Sequence, residues 1–212
     1  MDGTTQSLKV MKTYSQHGED LRIRELLTDS CQPFVVDVGA NDGYSWSNSI
    51  AFIELGYAAL LIEPMGKYAQ QCRDRFREND RVFVEETAIL NRTGTVKFYI
   101  NHDVERDLLS MTSSVRREII DSEKIVEVEV PVCPLATLLE RHAVPVDYAL
   151  LTVDAEGVDL EVLHTARLDT YRPAVICVEY GLNERPVHDY LVLMNYVKRD
   201  HLGPNGLYTP IG

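Results

Sequence analysis

Val36-Asp37-Val38-Gly39-Ala40-Asn41-Asp42-Gly43-Tyr44 is a glycine-punctuated turn directly behind a strand, and it decides the fold. The preceding run, Phe34 to Val38, is rich in valine and apolar on both sides, as a central strand of a parallel sheet must be. A turn in that position lies at the carboxyl edge of an open α/β sheet, where ligands bind. Gly39 lets the backbone approach a ligand closely, and Gly43 permits a tight entry into a helix. Trp46, Ile50 and Ile53 recur at helical spacing behind Ser45, which predicts that helix. Glu63 follows the next apolar strand, Ala58 to Ile62. A carboxylate there can accept hydrogen bonds from both hydroxyls of a ribose.

The ligand is read from what the turn lacks. A dinucleotide-binding turn carries a central glycine that makes room for a pyrophosphate at a helix N-terminus. Here Asn41 stands in that place, and Asp42 adds a negative charge beside it. Both features disfavour a diphosphate, so an NAD(P)-dependent oxidoreductase is the second reading. S-adenosylmethionine suits the loop better, because it has no phosphate and carries a positive sulfur and an ammonium group.

Outward from the turn, short β-rich runs alternate with helix-period segments up to Glu179, which predicts an α/β fold with a parallel sheet covered by helices on both faces. Met65, Tyr68, Ala69, Cys72 and Phe76 mark a helix; Val82 to Val84, Asp147 to Val153 and Ala174 to Val178 mark further strands. Thr95 to Ile100 and Ile125 to Val130 have β character and are separated by a polar stretch containing Ser110, Thr112, Ser113 and Ser114. That stretch reads as an insertion over one sheet edge, near 101–124, that builds the acceptor pocket. Val187, Tyr190, Leu191 and Met194 form a helical face after Pro186. Tyr196-Val197 and Leu207-Tyr208-Thr209 then flank Gly203-Pro204-Asn205-Gly206, the signature of an antiparallel hairpin. Residues 1–30 read as a helical lead-in to a single domain, 31–212. Its apolar face of Ile23, Leu26 and Leu27 docks either on that domain or on a second copy in a homodimer.

The whole chain has 212 residues, 45% hydrophobic and 25% charged, which suits one soluble globular domain. A net charge of −12 repels phosphate backbones and anionic membranes and argues against a nucleic-acid module. The longest apolar runs, Tyr57 to Ile62 and Tyr148 to Leu151, are far shorter than the ~20 residues of a membrane-spanning helix. The first residues lack the pattern of a secretory signal, so a cytoplasmic location is expected. Cys31, Cys72, Cys133 and Cys177 form no Cys-x-x-Cys pair and read as core thiols.

Five segments together resemble the FkbM family of S-adenosylmethionine-dependent methyltransferases. They are Ser15-Gln16-His17-Gly18-Glu19-Asp20, Val36 to Gly43, Leu61-Ile62-Glu63-Pro64, Val153-Asp154-Ala155-Glu156-Gly157 and Val178-Glu179. The resemblance implies a Rossmann-like class I methyltransferase with a seven-stranded sheet whose last strand is antiparallel. It implies methyl transfer, usually to a hydroxyl of a sugar or secondary metabolite. It also implies that Gly39, Asn41 and Gly43 line the cofactor loop, that Glu63 holds the ribose, that Ala88 lies beside the adenine, and that Asp154 faces the sulfonium. Asp37 and Pro64, inside the matching segments, join the cofactor set. Ser15 and Gln16 cover the cofactor if the lead-in folds over the sheet edge; for Ser15, capping the next helix is the other reading.

An aliphatic hydroxyl is a poor nucleophile while protonated, so methyl transfer to it calls for a general base or a divalent metal. Asp154, Glu156 and Glu179 come from the ends of two strands and should converge at the carboxyl edge. Asp154 and Glu179 are candidate ligands for Mg²⁺ or another hard divalent cation. Glu156 reads equally as a catalytic acid and as an acid stabilised by the following helix N-terminus. Among the histidines, His17 and His102 lie in polar segments, and His17 is the preferred base. The acceptor expected is a small molecule, a sugar or polyketide-type hydroxyl. The non-enzyme alternative is a cofactor-binding module without catalysis.

Overall fold

The structure, a computed structural model, describes residues 12–101, 113–120, 125–180 and 184–211. His102, Ser110 and Thr112, and most of the insertion expected near 101–124, lie outside them. In chain order the elements are α1 (Glu19–Leu26), β1 (Gln32–Val38), α2 (Ile50–Glu54), β2 (Ala58–Ile62), α3 (Gly66–Phe76), β3 (Val82–Glu85), β4 (Ala88–Ile89) and β5 (Gly94–Asn101). They continue with β6 (Ile125–Cys133), α4 (Leu135–Arg141), β7 (Tyr148–Val153), α5 (Asp159–Thr165), β8 (Val175–Glu179), α6 (Glu184–Leu193), β9 (Tyr196–Leu202) and β10 (Asn205–Pro210).

The main sheet has seven strands in the order β3-β2-β1-β7-β8-β10-β9. The pairs from β3 to β8 are parallel, and β10 runs antiparallel between β8 and β9. Strand order reverses at β1/β7, the topological switch point at which α/β sheets open a crevice. The register does the positioning. Val38 pairs with Ile62 and with Val153, and Val153 pairs with Val178. The residues that follow, Gly39, Glu63, Asp154 and the last residue of β8, Glu179, therefore line up at the carboxyl edge of the sheet.

Alternation along each strand divides the core. Val36, Val38, Leu151, Val153, Ile176 and Val178 face α4, α5 and α6 through Leu138, Leu163 and Leu191. Val35, Leu61, Leu150 and Cys177 face α1, α2 and α3 through Ile23, Phe52 and Cys72. Ile23 is fully buried, with Leu26 and Leu27 packed beside it. The apolar face of the lead-in is thus docked on its own sheet.

A second sheet, in the order β4-β6-β5, joins the two β runs on either side of the insertion. Phe98, Val130 and Val132 pack with Ala88 in its small core.

Three sequence expectations are corrected. The helix read behind Ser45 is shorter: Trp46 has φ 54 and only Ile50–Glu54 is helical. Asp42 causes the delay, accepting hydrogen bonds from the Tyr44 and Ser45 N–H groups at 2.9 and 2.7 Å and from the Ser45 hydroxyl, a turn that competes with helix. The lead-in is helical only over Glu19–Leu26 among its described residues. Cys31 is half-buried, unlike the three buried cysteines, and its thiol donates to the Thr28 carbonyl.

Candidate functional site

Above the switch point lies a cleft enclosing about 1200 Å³ of open space, solvent at its mouth included. Its floor is the loop after β1. Gly39 has φ 87, and a Cβ there would collide with the Asp154 carbonyl. The glycine is needed for the close passage of the β1 and β7 ends, where Asp154 N–H donates to the Val38 carbonyl, and it also lines the cleft. Gly43 (φ 68) packs against Cys72 and Phe76 of α3, so it seats the loop on α3 instead of opening a helix.

Glu63 sits at the middle of the cleft. It is buried, and its carboxylate accepts from the Asn41 N–H at 3.0 Å and the Met65 N–H at 2.8 Å. Burial pushes its pKa up to about 7, partly opposed by those two N–H groups. Asp37 is also buried and accepts from the Ser49 hydroxyl; burial pushes it up to about 6, with Ser49 opposing. Part of the wall is apolar: Pro64, Met65, Tyr68, Ala88, Ile89 and Phe98. The small second sheet supplies much of that wall, which gives Ala88 its place.

Another part of the wall is acidic. One carboxylate oxygen each from Asp154, Glu156 and Glu179 lie within 4.8 Å of one another. Asp154 is exposed, but to the cleft rather than to the outer surface. Crowding by the surrounding protein, then the charge of Glu179 and a hydrogen bond shared with it, hold its carboxyl well above the ordinary range. Glu156 is pushed up to about 8, by burial first and then by Asp154 and Asp159. Its backbone is left-handed (φ 49), and its carbonyl accepts from the Ser114 hydroxyl at 2.7 Å. Asp159, not Glu156, ties this loop to α5, accepting from the Ala155 and Gly157 N–H groups at 2.7 and 3.1 Å. Asp159 is also the acid in the first turn of α5, where the helix N-terminus favours a negative charge.

The lead-in contributes less than expected in two positions and more in a third. Ser15 does not line the cleft; its hydroxyl donates to buried Asp20 at 2.7 Å. His17 is exposed, outside the lining, with its ring against Gly203 in the β9–β10 turn. Gln16 does line the cleft. Glu19, not singled out from the sequence, is fully buried at the cleft wall, accepting from Asn205 Nδ2 at 2.7 Å and from the His17 N–H at 2.8 Å. Asn48 was also missed. Its Nδ2 faces Thr152 Oγ1 at 3.3 Å, while its buried Oδ1 has no partner among the described residues.

These features fit S-adenosylmethionine. The apolar wall suits adenine, Glu63 the ribose, and the acids with Asn48 Oδ1 the ammonium and sulfonium end. They do not fit a dinucleotide: among the described residues no Lys, Arg or His lines the cleft, and the Asn41 N–H is already engaged by Glu63. The acidic trio also fits a hard divalent cation, whose oxygen ligands lie ~2.0–2.6 Å from the metal.

The chain has relatives among proteins of known structure and sequence. The chain aligns with a Corynebacterium glutamicum protein of known structure at a TM-score of 0.54 and 10% identity, covering 95% of this chain and 84% of that one. It also aligns with the precorrin-6y C5,15-methyltransferase of Geobacter metallireducens GS-15 at a TM-score of 0.48 and 12% identity, covering 89% and 84%. A curated relative, the 2-O-methyltransferase NoeI of Sinorhizobium fredii (strain NBRC 101917 / NGR234), is 31% identical over 94 residues, 43% of this chain. That match spans only 37% of the relative's length. The methyltransferase FkbM domain matches residues 37–200, from the strand under the cofactor loop to the terminal hairpin, and the chain belongs to that family.

Proposed function

We propose that the protein is an S-adenosylmethionine-dependent O-methyltransferase acting on a hydroxyl of a sugar or natural product. The observation that carries this reading is that one cleft joins an apolar wall, Glu63 and the clustered Asp154, Glu156 and Glu179, with Glu63, Asp154 and Glu179 brought to it by the ends of β2, β7 and β8. When bound, the cofactor supplies an electrophilic methyl group on a positive sulfur, so displacement needs alignment and proton removal rather than further activation. Glu63 and the loop from Gly39 to Asn41 hold the nucleoside; Asp37, Pro64 and Ala88 complete its surroundings. Asp154 faces the sulfonium end.

The acceptor proton goes to the acidic trio. A carboxylate whose conjugate acid titrates near neutral pH is suited to this role, and Glu156, pushed up to about 8, meets the requirement. His17, off the cleft, does not. A divalent cation would be held by Asp154, Glu156 and Glu179 and would lower the pKa of an acceptor hydroxyl. The partial likeness to a 2-O-methyltransferase supports oxygen as the acceptor atom.

Calorimetric titration with S-adenosylhomocysteine, in EDTA and then with added magnesium, tests the reading. The expected result is saturable one-to-one binding, tightened by magnesium. Asp154→Asn should lose about 100-fold or more in turnover at saturating cofactor, the range of acid–base contributions. Absence of binding in folded protein overturns the methyltransferase reading, and full turnover in Asp154→Asn overturns the role of the trio.

A further inference from the structure

Trp46 is the sole tryptophan of the chain, and its placement is costly in two ways. Its backbone is left-handed at φ 54, a conformation that is an outlier for a bulky residue. Its side chain is 45% exposed, and it lines the cleft. Nothing in the described residues compensates. The other exposed aromatic rings have partners: Tyr44 lies under Arg75 and edge-on to Tyr14, and Phe83 stacks on His142. Trp46 has no ring or cation contact among the described residues and makes no side-chain hydrogen bond there.

The conformation is nevertheless held firmly. Trp46 forms a β-bridge with Ser15, and Ser15 is fixed by Asp20, which is fully buried and also accepts from the Thr13 hydroxyl and the Tyr14 N–H. The lead-in therefore serves to hold an unpartnered indole at the cleft wall.

The charge of the cleft narrows what can meet that indole. Six carboxylates, Glu19, Asp37, Glu63, Asp154, Glu156 and Glu179, line it, and no basic residue does among those described. The described lining offers an anionic acceptor no cation to pair with, whereas hydroxyl and ammonium groups find acceptors. An aromatic face with carboxylates beside it is the chemistry that binds a polyhydroxylated ring: C–H groups pack on the indole and hydroxyls donate to the acids.

We infer that Trp46 is the acceptor platform, and that the acceptor is a neutral or positively charged glycoside, not a sugar phosphate, nucleotide sugar or nucleic acid. The inference rests on the methyl-transfer reading and goes beyond it by naming the acceptor class and the residue that selects it. Trp46 is a specificity-determining residue in this role and takes no part in proton transfer.

As the only tryptophan, Trp46 is its own probe. The full chain, saturated with S-adenosylhomocysteine, is titrated with methyl glycosides of neutral hexoses and of an aminohexose, and with glucose 1-phosphate and UDP-glucose. The neutral and cationic glycosides should shift or quench the indole emission saturably, and the phosphates should not. With labelled S-adenosylmethionine and the glycoside that binds best, Trp46→Ala should raise KM about tenfold, the equivalent of one ring-stacking contact. S-adenosylhomocysteine affinity should be unchanged, and Trp46→Phe should recover part of the loss.

If wild type fails to bind S-adenosylhomocysteine, the methyltransferase reading fails. If it binds but no glycoside perturbs the emission, the present inference fails alone. The same follows if phosphates bind better than glycosides, if Trp46→Ala leaves KM unchanged, or if Trp46→Ala loses cofactor affinity as well, which would make the indole a part of the loop's fold.

Discussion

Glu63 faces two opposing demands. It is a buried acid whose pKa is raised to about 7, so its charge destabilises the empty cleft, yet that charge is what two ribose hydroxyls would donate to. Glu63→Gln should therefore separate stability from binding. The amide accepts from only one of the Asn41 and Met65 N–H groups, a loss of about 1–3 kcal/mol. It has no charge to bury, however, so the melting temperature of the ligand-free variant should gain on that of wild type as pH rises from 6 to 8, while S-adenosylhomocysteine binds roughly 10- to 100-fold more weakly. Thermal unfolding at pH 6 and pH 8 and calorimetry on one preparation check both signs, and a melting-temperature difference that does not move toward the variant as pH rises would contradict the argument. Glu63, Asp154 and Glu179 were legible in the sequence because each follows an apolar strand, and parallel strands in register deliver their next residues to one edge. Glu19, Asn48 and Trp46 were not. They reach the cleft through the path of the lead-in and of a loop, and no periodicity encodes either path.

Among the elements, the segment around α1 shows how a short helix can organise more than its own length. Asp20 stands in the first turn of α1, where an acid is favoured by the helix N-terminus. Its carboxylate gathers Thr13, Tyr14 and Ser15. Asp20→Ala would leave those donors without their acceptor and free residues 13–15, at a cost of about 1–3 kcal/mol. The expected outcome is a lower melting temperature together with faster proteolytic cleavage near Tyr14, while the sheet's far-ultraviolet dichroism is retained. Cleavage at the wild-type rate would show that other contacts hold the segment. The sequence revealed α1 by its apolar spacing and the terminal hairpin by its glycines. It misplaced the start of α2, because Trp46, Ile50 and Ile53 keep helical spacing whether or not the chain between them is helical. The Asp42 turn decides against helix through side-chain hydrogen bonds that a periodicity argument does not count.

For the whole molecule, the acids of the cleft set a pH dependence opposite to that of salt-bridged proteins. Asp37, Glu63 and Glu156 have folded pKa values of about 6, 7 and 8, against ordinary values of 3.8, 4.5 and 4.5. Between about pH 4 and pH 8 the folded protein holds protons that the unfolded chain has released, so stability falls as pH rises through that window. The shifts of Asp37 and Glu63 each correspond to about 3 kcal/mol at full ionisation, and less in combination, because neighbouring acids titrate together. The ligand-free protein should thus melt at a lower temperature at pH 8 than at pH 6. The net charge of −12 pushes in the same direction through surface repulsion, but salt screens surface charges far more than buried ones. Scans at pH 6, 7 and 8, in 0.1 and 0.5 M sodium chloride, separate the two: a decline that persists in high salt belongs to the cleft. S-adenosylhomocysteine with magnesium should then flatten it, because a cationic end and a divalent ion stabilise the ionised acids at the sites where the empty protein prefers a proton. A melting temperature that rises from pH 6 to pH 8 would mean that these carboxylates are ionised and paired in the empty protein, and the electrostatic account of the cleft would have to be abandoned.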